Sequence, residues 1–192
     1  MIRLVHGIRH TSWRQNPMRP LYEELERRGI ESTKIRYGYV LIPVSNTKAV
    51  SAVLDQTEPG DILVGFSNGA WAIAEAVKQG APAGGLILVS GALRSNWEFP
   101  KGVHIYNYYC PFDGVLTTGN RWARAVSWMP WRWGEDKDHG WGDVGRYGYD
   151  GPSDAQVRNL RLPYKTMHRW HKREDAVRMV ADGCEVMLDK VA

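Results

Sequence analysis

A serine flanked by glycines is the residue of this sequence best suited to chemistry. Residues 65–69 read Gly-Phe-Ser-Asn-Gly, a G-x-S-x-G string that chance alone gives in about one such chain in ten. An apolar run ends at Phe66, and small and apolar residues with helical period follow from Ala70. A sharp strand-to-helix turn lifts its central side chain above the sheet edge and leaves no room for a Cβ at the flanking positions. We therefore predict that Ser67 is a nucleophile; a glycine-rich turn with a capping serine is the structural alternative.

An activated serine needs a base to take its proton and a carboxylate to hold that base. Asp113 is the best candidate acid, because it follows a predicted strand at 103–109. The carboxyl ends of parallel strands share one edge of a sheet, so Asp113 should lie at the same edge as Ser67. A turn aspartate without a catalytic role is the alternative. Other aspartates lie downstream, but none follows a clear strand: Asp136, Asp138, Asp143, Asp150 and Asp154.

Six histidines compete for the role of base. We favour His168, which lies between a predicted last strand at 162–167 and a predicted C-terminal helix and so returns to the edge of Ser67. His171 and His139 remain open as alternatives. The remaining histidines either precede the serine or lie inside a predicted strand, where a structural role is the better interpretation: His6, His10 and His104.

Strands and helices alternate along the first half of the chain. Short apolar runs predict buried strands, and apolar residues spaced three and four apart predict helices. This alternation predicts a three-layer α/β/α fold with a mostly parallel central sheet of about six strands. The predicted strands are 2–5, 35–40, 61–66, 85–90, 103–109 and 162–167, and the predicted helices are 20–28, 47–55, 69–79 and 173–190.

The length of 192 residues predicts a single domain over 1–192. Residues 115–155 are rich in Gly, Asp and Trp, and apart from a short helix near 119–128 they predict an irregular loop or lid. A long irregular segment inside a compact domain is more often a binding loop than a linker. Trp131 and Trp133 are therefore candidate substrate-binding residues, since indole rings suit apolar or aromatic acyl groups and stack on sugars. Packing of the loop is the structural alternative.

Composition excludes several classes of protein. The excess of 25 Lys and Arg over 21 Asp and Glu is too small to predict nucleic-acid binding, and the basic stretch 168–173 lacks a recognition motif. Two cysteines, Cys110 and Cys184, exclude a disulfide-dense scaffold and a Cys-rich zinc module. No apolar run approaches the ~20 residues of a membrane span. The first residues lack the pattern of a signal peptide, so we expect a cytoplasmic protein.

Taken together, these residues resemble the α/β-hydrolase fold enzymes. The matching features are His6-Gly7 after the first strand, the serine turn at 65–69, Asp113 after a later strand, and a histidine before the last helix. Residues 142–151 also resemble a Gly-Arg-Tyr-Gly-Tyr stretch of some small bacterial esterase-like members. The family's opening antiparallel strands and cap domain have no counterpart here. The resemblance therefore indicates a minimal, cap-less member of the esterase and lipase type, with the Trp-rich segment in place of the cap.

This resemblance implies a serine hydrolase that cleaves carboxylic esters through a Ser-His-Asp triad and an acyl-enzyme. The backbone N–H groups of Asn68 and Ile8 would form the oxyanion hole, and His6 would be a structural residue of that loop. No metal or organic cofactor is implied, and the expected substrate is a small-molecule, lipid or glycan ester. Two alternatives remain: an amidase or peptidase with the same triad, and a catalytically inactive fold that binds a protein or a small signal molecule.

Overall fold

Within the residues that the structure describes, six parallel strands form one sheet. The structure is a computed structural model, and it describes residues 1–7, 15–37, 47–94, 97–118, 142–151, 156–163 and 167–191. The strands are β1 (Ile2–Val5), β2 (Ser32–Lys34), β3 (Ile62–Phe66), β4 (Gly85–Val89), β5 (His104–Tyr109) and β6 (Gln156–Arg161). They lie in the order β2-β1-β3-β4-β5-β6, and each neighbouring pair is parallel. The direction of strand order reverses between β1 and β3, which opens a crevice at the carboxyl ends of these two strands.

Helices cover both faces of this sheet, as the sequence predicts. Successive strand residues point to opposite faces, so Ile62 and Val64 enter one apolar core while Leu63 enters the other. Helices α1 and α6 pack on the first face, and α2 and α3 pack on the second. The helices are α1 (Arg19–Arg27), α2 (Thr47–Gln56), α3 (Asn68–Lys78), α4 (described over 114–118), α5 (Asp143–Tyr147) and α6 (Glu174–Val191), with a 3₁₀ helix at Met167–Lys172 before α6.

The two edge strands are where the sequence-based strand predictions are wrong. The strand expected at 35–40 is instead β2, which ends at Lys34, and the one expected at 162–167 is instead β6, which ends at Arg161. Residues 38–40 and 164–166 lie outside the described part. Central strands β3 and β4 are buried on both faces and are continuously apolar, whereas an edge strand tolerates polar residues. The segments that form β2 and β6 are largely polar, so the pattern of apolar runs does not predict them.

Part of the segment predicted as an irregular lid is helical and packed against the sheet. In helix α5, a Cβ on Gly145 would lie 2.6 Å from the backbone of Gly91 and 2.6 Å from Leu116 Cδ1. The Gly145 carbonyl accepts a 2.9 Å hydrogen bond from Cys110 N, just past the end of β5. The prediction of irregular structure is therefore wrong for 115–118 and 143–147, which are helical, while 148–151 have no regular secondary structure. The predicted helix at 119–128 lies outside the described residues.

Two asparagine side chains fasten the residues around α5 to strands β5 and β6. The Asn159 amide bonds the backbone of Tyr149 twice, accepting from its N–H at 2.8 Å and donating to its carbonyl at 2.8 Å. Asn107 Nδ2 donates to Asn159 Oδ1 at 2.9 Å and to the Val144 carbonyl at 3.0 Å. Asn107 is fully buried, so breaking its bonds would leave a buried amide unsatisfied, whereas Asn159 is exposed and fixes Tyr149 from the surface.

The described part of the chain has no helix with the length and apolarity needed to cross a bilayer. Cys110 and Cys184 are both buried and neither forms a disulfide. Burial also raises the pKa of the Cys184 thiol, so this thiol stays protonated at neutral pH and packs as a small apolar group.

Gly65→Ala should destabilise the protein strongly. A Cβ at Gly65 would lie 2.6 Å from both Ala70 Cα and the Gly69 carbonyl oxygen, which are backbone atoms of α3 that move only if the helix moves. We expect the free energy of unfolding to fall by about 3 kcal/mol or more. Gly29→Ala is the control: its φ is +71° with no atom within 4 Å of a new Cβ, so it should cost only about 1 kcal/mol of backbone strain. Equal losses for the two variants in urea unfolding would contradict the steric account.

Candidate active site

Ser67 occupies a strained turn between β3 and α3. Its φ of 55° and ψ of −120° lie outside the regions that residues with a Cβ favour. Three backbone hydrogen bonds hold it there. Its N–H donates to the Val89 carbonyl at 3.0 Å, and its own carbonyl accepts from Ala70 N at 3.1 Å and Ala92 N at 3.0 Å. The turn therefore has the conformation that the G-x-S-x-G string predicts.

The backbone that follows β1 lies directly against this serine. A Cβ on Gly7 would lie 3.2 Å from Ser67 Cβ and 3.6 Å from Ser67 Oγ. A Cβ on Gly69 would in turn collide with the carbonyl oxygens of Val5 and His6. The end of β1 and the first turn of α3 can approach this closely only because both positions are glycine. Ser67 Oγ is thus bordered by backbone from the strand beside its own.

A buried carboxylate and an imidazole form a hydrogen-bonded pair at this edge of the sheet. Asp113, just past β5, is fully buried. Its Oδ1 accepts from the backbone N–H groups of Val115 and Leu116, both at 3.1 Å, and its Oδ2 lies 2.8 Å from His168 Nδ1. A carboxylate can only accept, so His168 Nδ1 carries the proton and Nε2 is left as an acceptor. This is the tautomer that a general base requires.

The His168 ring packs beside the serine turn. It lies 4.7 Å, centroid to centroid, from the ring of Phe66, the residue before Ser67. Trp170, fully buried in the same 3₁₀ helix, also contacts Phe66 at 6.1 Å. Among the described residues, no hydrogen bond joins the Ser67 hydroxyl to His168. Such bonds are often long before substrate binds and shorten in the complex.

The other residues predicted for the site fall into two groups. Asn68 begins α3, and its N–H is among those that a helix leaves without an intrahelical partner. His171 follows His168 in the 3₁₀ helix, and its ring meets Phe66 edge-on at 6.4 Å; the imidazole bonded to Asp113 is that of His168. The second group lies outside the described residues: Ile8, Trp131, Trp133 and His139. Among described side chains, no group of three or more His, Cys, Asp or Glu could hold a metal ion.

Sequence reasoning missed a tyrosine that belongs to this edge. The Tyr37 ring stacks on His6 at 4.3 Å, and its hydroxyl donates to the His6 carbonyl. Burial lowers the pKa of His6, partly offset by its bond to the Gly7 carbonyl, so the ring is neutral at neutral pH. Thirty-one residues separate the two partners, and no spacing rule links them. Sequence reasoning also missed Trp170, which is fully buried although it lies in the basic stretch 168–173.

Comparisons with known proteins bear on the fold. No family model matches the chain, and no curated protein matches it. Mouse α/β-hydrolase domain-containing protein 10 is structurally similar, with a TM-score of 0.61, 15% identity and coverage of 100% of this chain and 90% of that one. The chain has the α/β-hydrolase fold. Two bacterial structures are also similar to this chain.

One of these, from Pectobacterium atrosepticum, is named as a YdeN-like hydrolase. It gives a TM-score of 0.54 and 18% identity over 97% of this chain and 91% of that one. The other is a pyrethroid hydrolase from Sphingobium faniae, with a TM-score of 0.51 and 16% identity over 98% and 96% of the two chains. At these identities the likeness establishes the α/β-hydrolase fold, and the chemistry has to be argued from the site.

Asp113→Asn should lower the reactivity of Ser67 while leaving the fold intact. The asparagine Oδ1 can still accept from Val115 and Leu116, but its NH₂ group would face His168 and favour the tautomer with the proton on Nε2. We expect the rate of Ser67 labelling by a fluorophosphonate to fall by roughly 10⁴-fold, the loss that the wrong tautomer causes in such triads. Mass spectrometry of the labelled peptide measures this rate.

The control for this experiment is Asp55→Asn on α2, whose partner is an exposed Ser51 hydroxyl. This variant should react like the unmodified protein. A folded Asp113→Asn protein labelled within tenfold of the normal rate would contradict the role given to the carboxylate.

Proposed function

We propose that this protein is a serine hydrolase that cleaves carboxylic esters, with Ser67 as nucleophile, His168 as general base and Asp113 as the carboxylate that orients the base. The observation that carries the proposal is the 2.8 Å bond between Asp113 and His168, with the His168 ring packed beside the strained Ser67 turn. The hydrolases among the structural neighbours add support. An amidase would use the same residues, so the leaving group has to be settled by assay.

The first half of the reaction forms an acyl-enzyme. Ser67 Oγ attacks the ester carbonyl carbon while His168 Nε2 accepts the hydroxyl proton, and the carbonyl oxygen becomes an oxyanion. Asp113 stabilises the imidazolium that results. Backbone N–H groups of Asn68 and Ile8 would bind the oxyanion, and each such donor contributes on the order of 10²–10³ to the rate. The C–O bond to the alcohol then breaks, and His168 returns its proton to the departing oxygen.

In the second half of the reaction, a water molecule replaces the serine hydroxyl as the nucleophile. His168 Nε2 accepts a proton from a water molecule, whose oxygen attacks the acyl carbon. The new tetrahedral intermediate collapses by breaking the bond to Ser67 Oγ, which takes the proton back from His168. The products are a carboxylic acid and an alcohol, and the enzyme is restored with no external oxidant, reductant or co-substrate other than water.

The experiment that tests the function is labelling and turnover at Ser67. A fluorophosphonate should label Ser67 covalently, and the protein should hydrolyse p-nitrophenyl acetate or butyrate. Ser67→Ala should abolish both, because it removes the nucleophile. Ser51→Ala, which removes an exposed hydroxyl on α2, should change neither. Labelling at a different residue, or none at all in well-folded protein, would refute the proposal and favour a catalytically inactive binding protein.

Two histidine variants test the identity of the base in the same assay. His168→Ala should lower turnover of p-nitrophenyl butyrate by roughly 10⁴–10⁶-fold, as loss of a triad member does. His171→Ala changes a neighbouring ring of the same 3₁₀ helix and should retain most of the turnover. If His171→Ala or His139→Ala is inactive while His168→Ala is active, the base has been assigned to the wrong histidine.

The acyl group is proposed to contact Trp131 and Trp133. Alanine at either position should raise the KM for long-chain p-nitrophenyl esters several-fold more than the KM for the acetate, because a long apolar chain loses more buried surface. A kinetic series of acyl lengths with each variant measures this difference. Equal effects on both ester lengths, or a large fall in melting temperature, would assign these tryptophans to packing of the loop.

A further inference from the structure

The phenyl ring of Phe66 contacts three rings of the 3₁₀ helix that precedes α6. Phe66 is the last residue of β3 and immediately precedes Ser67. Its side chain is buried in the apolar core between the sheet and helices α1 and α6. The rings of His168, Trp170 and His171 lie 4.7, 6.1 and 6.4 Å from the phenyl ring, centroid to centroid. Phe66 therefore connects the segment of the proposed base to the strand of the proposed nucleophile.

The hydrogen bond to Asp113 does not by itself fix the orientation of the His168 imidazole. A histidine side chain turns about two torsions, and the second of these has a broad range. The 2.8 Å bond from Nδ1 to Asp113 Oδ2 restrains one atom of the ring, so the direction of Nε2 depends on a further contact. The phenyl ring of Phe66, at 40° to the imidazole plane, provides such a contact.

The backbone of the 3₁₀ helix is kinked next to His168. Arg169 has φ −111° and ψ 34°, which are not helical values, so regular helix geometry does not fix the position of the imidazole. Beyond the kink, Trp170 is fully buried, and its carbonyl accepts a 2.9 Å hydrogen bond from Arg173 N, just before α6. Because Trp170 contacts the same phenyl ring as His168, Phe66 packs against residues on both sides of the kink.

Phe66 is itself fixed by the centre of the sheet. Strands β3 and β4 pair with Phe66 opposite Val89, and the Ser67 N–H donates to the Val89 carbonyl at 3.0 Å. Consecutive Cα atoms are about 3.8 Å apart across a trans peptide. The ring that contacts the imidazole and the hydroxyl that the imidazole must reach thus belong to adjacent residues of one hydrogen-bonded turn.

We infer that Phe66 is a positioning residue for the general base. Its phenyl ring holds the His168 imidazole in the orientation in which Nε2 can accept the Ser67 proton, while Asp113 holds the other ring nitrogen. The inference rests on the proposed serine hydrolase activity. Because Phe66 is only 2% exposed, it acts through His168 and not by contact with the ester.

Phe66→Leu tests this role, since it keeps an apolar side chain and removes the flat ring. With p-nitrophenyl butyrate we expect kcat per folded molecule to fall roughly 10–100-fold, because a misplacement of about 1 Å can cost about 10² in rate. The KM should stay within twofold, and the rate of Ser67 labelling by a fluorophosphonate should fall by the same factor as kcat. Phe66→Met also lacks the flat ring and should give the same losses, so it replaces Phe66→Leu if that variant does not fold.

A double-mutant cycle with His168→Ala shows whether Phe66 acts through the imidazole. The readout is the single-turnover release of p-nitrophenol at high protein concentration. Once His168 is absent, Phe66→Leu should lower the remaining rate by less than twofold. The same 10–100-fold loss with and without His168 would overturn the inference, because Phe66 would then act on the Ser67 turn itself.

Phe99→Leu is the matched control for loss of a buried phenyl ring. Phe99 is 8% exposed in the apolar core on the opposite face of the sheet, and its ring contacts Tyr149 at 5.1 Å. Its kcat should stay within twofold of that of the unmodified protein. Unchanged kcat in a folded Phe66 variant, a change in KM alone, or equal loss of kcat in Phe99→Leu would each contradict the inference. Failure of the proposed function is seen separately, as absence of Ser67 labelling and turnover in the unmodified protein.

Discussion

The positive-φ backbone conformation of Ser67 is the constraint on which the rest of the site depends. A sparsely populated conformation of this kind costs a residue with a Cβ about 1–3 kcal/mol, and the surrounding backbone holds it with three hydrogen bonds. The same turn brings β1, β3 and α3 so close together that Gly7, Gly65 and Gly69 have no room for a side chain. Catalytic sites are places where proteins keep strain of this kind. The position of the Ser67 hydroxyl is therefore set by the backbone conformation and not by the packing of its side chain.

The end of strand β4 also has a positive-φ residue, and it lies between Ser67 and the strand that precedes Asp113. Ser90, at the end of β4, is the other described non-glycine residue with positive φ, at 46°, and its N–H bonds the Tyr108 carbonyl at 2.9 Å. Gly91 follows and meets the backbone of Gly145. The ends of β3, β4 and β5 are thus tied to one another by backbone contacts. A displacement of any one of them would change the distance between Ser67 and the Asp113–His168 pair.

The sequence predicted the centre of the fold better than its margins. Strands β3 and β4 are apolar throughout because helices cover both their faces, and that pattern is unmistakable. The edge strand β6 reads Gln-Val-Arg-Asn-Leu-Arg, and no apolar run distinguishes it from a loop. Chain order alone indicates Asp113 and His168, because one follows a predicted strand and the other precedes a predicted helix. Tyr37 and His6 become neighbours only when the chain folds, so no local spacing in the sequence predicts their contact.

The contact between Leu116 and Gly142 has a consequence for how this protein can vary. A Cβ on Gly142 would lie 3.1 Å from Leu116 Cβ, so these two residues are neighbours in space although they are far apart in the sequence. Closing a loop costs an entropy that grows only with the logarithm of its length, about 0.6 kcal/mol for each doubling. A change in the number of residues between these two anchors would therefore alter the free energy of unfolding only slightly through loop closure.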